Sequence, residues 1–462
     1  MASESSRGRI GERRGWLVPV LVALAFLGLW MVFKPAVNPV NDSYRYAQAS
    51  LILLGDSPAE AQRKALTAFC GEQARWNARR AAVDPMTMND PPRIAEATRE
   101  CVGKYPDGLT PNTPRYEAIF ADRKGYAALV APLVALFGVN LGLATTSVLF
   151  TALGGLITVR LLRELGVPPG LAIAGQVLYY GSPIGWWGSY PLTEGAVLAF
   201  TMATLLGANW LLRRRLVAGA ALLTAALAAG IAIRFSTFLL IAASLAAAGL
   251  LALVTVRSVR HAGTWALVGI GALAAAGIMV MAKVLRLSGA NETLQDTFTD
   301  HFTRPDVPDP WHRLIDLNLA FWPRWFQTEL RTPWLLLGLA LGAWALFRRD
   351  RAMAWVTLGV AATGLATQAA HPVSSQGDRL YVALWLVPVI GLPVLLARMT
   401  AAPTTGADRP GADPAGVPAH RGPSSPATWA DSGPANQPWS PAHVPESGAR
   451  LGSGGRLEPN RG

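Results

Sequence analysis

The chain has 462 residues, 51% hydrophobic and 15% charged, with a formal net charge of +12 and a mean hydropathy of +0.29. This balance excludes an ordinary soluble protein of such length and requires lipid to cover much of the surface. The basic excess does not point to nucleic acid, because the arginines fall in short clusters between apolar runs rather than along one stripe.

A helix needs roughly 20 apolar residues to cross about 30 Å of hydrocarbon, and stretches approaching that length recur as far as Arg398. Residues 1–15 form a basic segment carrying Arg7, Arg9, Arg13 and Arg14. The first apolar run, Trp16 to Phe33, is followed by Lys34-Pro35 instead of a small-residue cleavage site, so it reads as a retained anchor. Short arginine-rich loops stay in the cytoplasm because exporting their charges is costly. The N-terminal arginines, Arg160 with Arg163, Arg213-Arg214-Arg215, Arg257 with Arg260, and Arg348-Arg349 with Arg351 therefore mark that side. Threading between them predicts helices near 16–33, 141–160, 168–186, 190–211, 217–233, 236–256, 264–284, 333–347, 352–370 and 379–398. The expected fold is an all-α integral membrane protein of the cell membrane, with about 10 transmembrane helices in residues 16–398 and both termini cytoplasmic.

The short apolar segment Tyr126 to Val139, with Pro132 in its middle, reads as a re-entrant or interfacial helix. The alternative is a thin span that breaks the charge rule once. Two long extracytoplasmic loops, about 34–125 and 285–332, and a short turn from His371 to Asp378 remain outside. Residues 399–462, rich in Pro, Gly, Ser and Ala, are expected to be a disordered cytoplasmic tail.

Cys70 and Cys101, the two cysteines of the chain, both fall in the first outer loop. An oxidising exterior favours a disulfide, which by chain entropy contributes about 3 kcal/mol, and the alternative is two free thiols. Without companion histidines they make a poor zinc cage, and no metal ligand set is expected.

Polar residues next to apolar spans are the candidates for chemistry. Asp42, in Asn41-Asp42-Ser43-Tyr44, follows the first span. Desolvation near lipid is expected to raise its pKa and suit it to general-base work, whereas the competing role is an N-cap of the following helix. Arg123 and Lys124 stand at the entrance to the short apolar helix, where they suit a phosphate or lipid headgroups. Glu194, beside Trp186, Trp187 and Tyr190, begins a span where a charge is expensive; the aromatic rings suit either a sugar face or an interfacial belt. Arg234 and Arg379 lie on the outer side against the charge bias, which suits a phosphate, while Arg379 can also simply pair with Asp378.

Taken in order, these segments resemble the GT-C class of membrane glycosyltransferases, which includes protein O-mannosyltransferases, aminoarabinose transferases and the RgtA/B/C/D-like bacterial branch. The resemblance rests on Asn41-Asp42-Ser43-Tyr44, Arg123-Lys124-Gly125-Tyr126, Ala131-Pro132-Leu133, Leu161-Leu162-Arg163-Glu164-Leu165-Gly166, Leu192-Thr193-Glu194, the Arg234 hairpin and Arg379, and covers residues 16–398. It implies a GT-C-like fold and sugar transfer from a polyprenyl-phosphate carrier, within the lipid bilayer, to an acceptor glycan, lipid or protein. In its terms Asp42 is the catalytic base and Glu194 lines the catalytic cavity, while Tyr44, Arg123, Lys124, Arg234 and Arg379 bind substrate. The family often pairs two acids where Asn41 precedes Asp42 here, and a divalent cation is left open as a cofactor. The rival readings are a multi-span transporter or flippase, for which no internal repeat is visible, and a non-catalytic scaffold.

Overall fold

The structure, a computed structural model, describes residues 4–33, 38–83, 93–120 and 123–400. The side chains of the N-terminal arginines, Asp122, and the tail expected to be disordered and cytoplasmic lie outside the described residues. All regular elements among the described residues are helical. After α1 (Glu4–Phe33), the segment expected to lie outside folds into α2 (Asn41–Leu53), α3 (Pro58–Val83), α4 (Ile94–Lys104) and α5 (Pro114–Phe120). The membrane region continues through α6 (Lys124–Phe137), α7 (Val139–Glu164), α8 (Pro169–Gly181), α9 (Pro183–Ser189), α10 (Glu194–Leu212), α11 (Leu216–Thr255) and α12 (Ala262–Val284). The second outer segment holds α13 (Ala290–Phe298) and α14 (Pro310–Arg331), and the chain finishes with α15 (Trp334–Arg349), α16 (Arg351–Ala370) and α17 (Leu386–Thr400).

Six described helices are long and apolar enough to cross a membrane: Gly15–Phe33 of α1, α7, α10, α11, α12 and Val382–Thr400, or up to seven counting the bent pair α14 and α15. The chain is thus an all-helical, multi-pass membrane protein. Several expected spans take a different form. The stretch expected to span 168–186 is divided at Ser182 into α8 and the seven-residue α9, because Pro183 has no N–H to continue the helical ladder. Helix α16 carries Thr357, Thr363 and Gln368 on its buried side, which lowers its hydropathy. Helix α15 has 16 residues.

The 40 residues of α11 contain a break at Arg234, where the backbone leaves helical geometry. Beyond its far end, His261 Nε2 lies 3.1 Å from the Leu212 carbonyl, four residues before α11 begins, while Arg234 reaches Glu194 at the opposite end of α10. Helix α11 is therefore a hairpin of two antiparallel halves, and its turn is Arg234. The expected helices 217–233 and 236–256 correspond to these halves.

Helix α10 is the centre of the bundle, with 89% of its apolar window buried, whereas α1 and α12 are peripheral at 11% and 17%. The 14-residue helix α6 spans only about 21 Å at 1.5 Å per residue, short of the hydrocarbon thickness. It turns at Gly138 into α7. At its start Tyr126 donates to the Leu192 carbonyl over 2.6 Å, just before α10.

The arginine clusters gather at one pole. Arg163 donates to the Gly15 carbonyl, Arg160 and Arg215 meet Glu164 at 2.6 and 2.9 Å, and Arg349 donates to the Leu165 carbonyl at 3.0 Å. At the opposite pole, α2 to α5 build a cap. The disulfide between Cys70 and Cys101 ties α3 to α4, with Cα atoms 5.7 Å apart. Buried Arg45 pairs with Glu117 and donates to the Leu109 carbonyl.

Candidate functional site

Pro39 and Val40 lead into α2, which Val40 caps without a side-chain bond. The cap role considered for Asp42 is therefore not the one it takes. As the second residue of α2, Asp42 points its carboxylate at Arg379, whose Nη2 lies 3.0 Å from Oδ2, and at Arg123, 3.9 Å away. Arg379 Nε donates to Glu194 Oε1 at 2.7 Å, and Arg234 Nη1 reaches the same oxygen at 3.3 Å. Five charged side chains from five separate segments thus converge, three guanidinium groups around two carboxylates. Their exposures run from 6% for Glu194 to 23% for Asp42. At such burial each carboxylate requires its cations, and removing one partner of a buried pair costs about 3–5 kcal/mol.

Local structure explains how these groups reach each other. Arg234 is at the turn of the α11 hairpin, the one point in that helix where a charge emerges from between two apolar halves. Gly125 allows α6 to start against it: a Cβ at Gly125 would stand 2.2 Å from the Ala232 carbonyl oxygen, so only glycine permits this approach. Arg379 ends a 3-10 turn, Ser374–Arg379, in which Gly377 adopts φ +55, a left-handed conformation that favours glycine. Asp378 does not pair with its neighbour Arg379; it accepts from Trp187 Nε1 at 2.6 Å, which holds this turn against α9.

The electrostatics correct one expectation. Burial alone would raise the pKa of Asp42, but Arg379 and Arg123 outweigh it, so the carboxyl is held below the ordinary range. A unit-charge pair 4 Å apart near a protein surface interacts by about 4 kcal/mol, enough to overturn partial desolvation. Asp42 is therefore ionised and held, rather than poised near neutrality. Burial raises the pKa of Tyr46 despite Arg123, keeping its phenol protonated. Burial, then Arg234, lowers the pKa of His371, so its imidazole is neutral at pH 7.

Of the residues expected at a site, Asp42, Glu194, Arg123, Arg234 and Arg379 meet. Tyr44 does not. It lies two residues from Asp42, about 200° around the helix, and instead meets Phe69 edge to face at 6.3 Å inside the cap. Tyr46, four residues on and therefore on the Asp42 face, takes the place expected of it: Arg123 Nη1 donates to its hydroxyl at 2.9 Å. Lys124 is exposed and forms no ion pair with the cluster among the described residues. Tyr190 donates to the Asn38 carbonyl and Trp186 is exposed, so with Trp187 they fasten or edge the outer turns.

Beside the cluster is a cavity of about 290 Å³ with Arg123, Arg234 and His371 in its wall, and Leu240, Leu294 and Trp311 supplying apolar surface. A smaller one, about 50 Å³, lies between the spans with Glu194, Arg234 and Arg379 at its mouth and Thr201 and Thr363 in its wall. The donor set does not fit a divalent cation. The two carboxylates are ringed by guanidinium groups, and no cluster of three His, Cys, Asp or Glu occurs among the described residues. A comparison of the chain with protein-family models, with curated proteins and with solved structures gave no match.

Proposed function

We propose that the chain is a GT-C-type membrane glycosyltransferase, which moves a sugar from a polyprenyl-phosphate carrier to an acceptor hydroxyl on the extracytoplasmic side. The positive-inside rule puts the arginine-rich pole in the cytoplasm and the Asp42 cluster outside. Counting the two halves of α11, the α8–α9 pair, α15 and α16 as crossings brings the spans to the ten expected. The observation that carries the reading is a carboxylate held beside a cavity whose wall combines two arginines with apolar side chains. Guanidinium groups match a phosphate, and apolar surface matches an isoprenoid tail.

In the reaction the acceptor oxygen attacks the anomeric carbon, the bond from that carbon to the phosphate oxygen breaks, and the electron pair leaves on the phosphate. The hydroxyl proton passes to Asp42, and Arg123 and Arg234 stabilise the departing charge. A bound phosphate also draws on the arginine charge that lowers the pKa of Asp42, which makes the carboxylate a better base when donor is present. Glu194 positions Arg379 and Arg234. The test is to incubate the protein in nanodiscs with radiolabelled polyprenyl-phosphate sugars. Wild type consumes donor, and Asp42→Asn, still folded by thermal melt, does not; equal consumption by the two would remove Asp42 from the mechanism.

A further inference from the structure

Helix α14 bends 88° from α15, so if α15 crosses the membrane α14 lies near its plane. Trp311, Ile315, Leu319, Phe326 and Leu330 recur along it at intervals of four and seven and are all more than half exposed. This stripe continues the exposed apolar surface of α15, Trp334, Leu337 and Leu341, and is the face turned to lipid. A second stripe, Leu317, Phe321, Arg324 and Thr328, recurs at intervals of four and three and lines a separate cavity of about 280 Å³. Leu317 and Leu319 are two positions apart, about 200° around the helix. The second cavity is therefore on the side of α14 away from that apolar stripe, and Arg324 and Thr328 in its wall are exposed.

The lining of that cavity is aromatic and polar. Trp325 is 8% exposed, and its ring meets that of Tyr381 edge to face at 5.6 Å. Glu329 is fixed by the Tyr381 hydroxyl at 2.9 Å. Gly377 also borders the cavity, two residues before Arg379. One side of this turn thus meets the cavity while its end reaches the Asp42 cluster. Aromatic faces with an adjacent carboxylate and hydroxyls are the groups that take a sugar ring, through apolar C–H faces and multiple hydroxyls. The first cavity meets α14 further toward its start, at Trp311 and Leu314.

We infer that the cavity between α14 and the Ser374–Arg379 turn is a saccharide site open to water, which makes the acceptor a water-exposed glycan hydroxyl rather than one buried in the bilayer. Its role as an acceptor seat rests on the transferase reading above; its ability to hold sugar does not. Among the described residues no cysteine is free, so an introduced thiol reports alone. In nanodiscs a charged, membrane-impermeant maleimide labels Thr328→Cys, whereas labelling is lost at Leu319→Cys. At least one of glucose, galactose, mannose, arabinose or N-acetylglucosamine slows labelling of Thr328→Cys, and adding Glu329→Gln removes that protection. Equal labelling of the two thiols, or no protection by any of these sugars, overturns the site. Protection without donor consumption by wild type leaves the sugar site standing and removes the transferase reading. Donor consumption without protection does the reverse.

Discussion

The two poles of the bundle are both rich in arginine, yet they use it differently. At one, Arg163 and Arg349 satisfy backbone carbonyls, and Arg160 and Arg215, 34% and 51% exposed, share the carboxylate of Glu164. These bonds serve chain ends and turns. At the other, Arg379, Arg234 and Arg123 are less than a quarter exposed and enclose two carboxylates from distant segments. The contrast shows that counting cations locates the membrane sides but not a site. What marks the site is burial with opposite charge supplied across the fold.

The largest test of this contrast is Asp42→Asn. It should lower sugar transfer by about 10²–10⁴-fold, the range for loss of a general base, while the protein still melts cooperatively, at a lower midpoint because its pairs to Arg379 and Arg123 are lost; single-turnover assays measure the transfer. Arg379→Ala leaves both carboxylates short of a partner and should cost about 3–5 kcal/mol, read by thermal unfolding in detergent; a loss below 1 kcal/mol, on the order of an exposed pair, would mean the network is not held as described. Reducing the Cys70–Cys101 bond should cost the cap about 3 kcal/mol, seen as earlier proteolysis of the outer segment than of the bundle.

Acid dependence gives a subtler distinction. The folded pKa of Asp42 is depressed by Arg379 and Arg123 against burial, so its stabilisation is complete above the unfolded aspartate value of about 3.9 and fades as pH falls through the lower folded value. The slope of melting temperature against pH in that acidic window should flatten in Asp42→Asn. The smallest effect belongs to the other pole: Arg215→Ala removes a half-exposed arginine from Glu164, which Arg160 still pairs, and should change stability by about 0–1 kcal/mol with unchanged donor turnover. A large loss of turnover there would erase the distinction between the poles.

Much of the layout was legible because lipid imposes strong rules. Apolar length located the six helices long enough to span, and the described arginines that meet at one pole are among those read as a common side. Asp42, Glu194, Arg234 and Arg379 stood out because a charge beside an apolar helix needs a partner, and the paired cysteines shared one segment between apolar runs. Other features depended on information no linear pattern holds. Tyr44 and Tyr46 differ only in helical phase, and the phase was discernible only by counting around from Asp42. The depressed pKa of Asp42 comes from Arg379, 337 positions away, so local desolvation pointed the wrong way. Helix α14 reads as part of an outer loop until its apolar and polar stripes are separated by face. The tie from Arg115 to Glu292 and Asp306, at 2.6 and 2.7 Å, joins both outer segments and carries no local mark.

Arg379 also has a consequence for biogenesis. During synthesis Asp42 leaves the ribosome first and Glu194 second, while the guanidinium that bridges them emerges 337 residues after Asp42. Until the last helices are inserted, Asp42 has only Arg123 and Glu194 only Arg234 as ion-pair partners from this cluster. The nascent protein therefore passes through a period in which its outer half is unfinished, and a truncation before residue 379 would leave those acids without the cation that unites them.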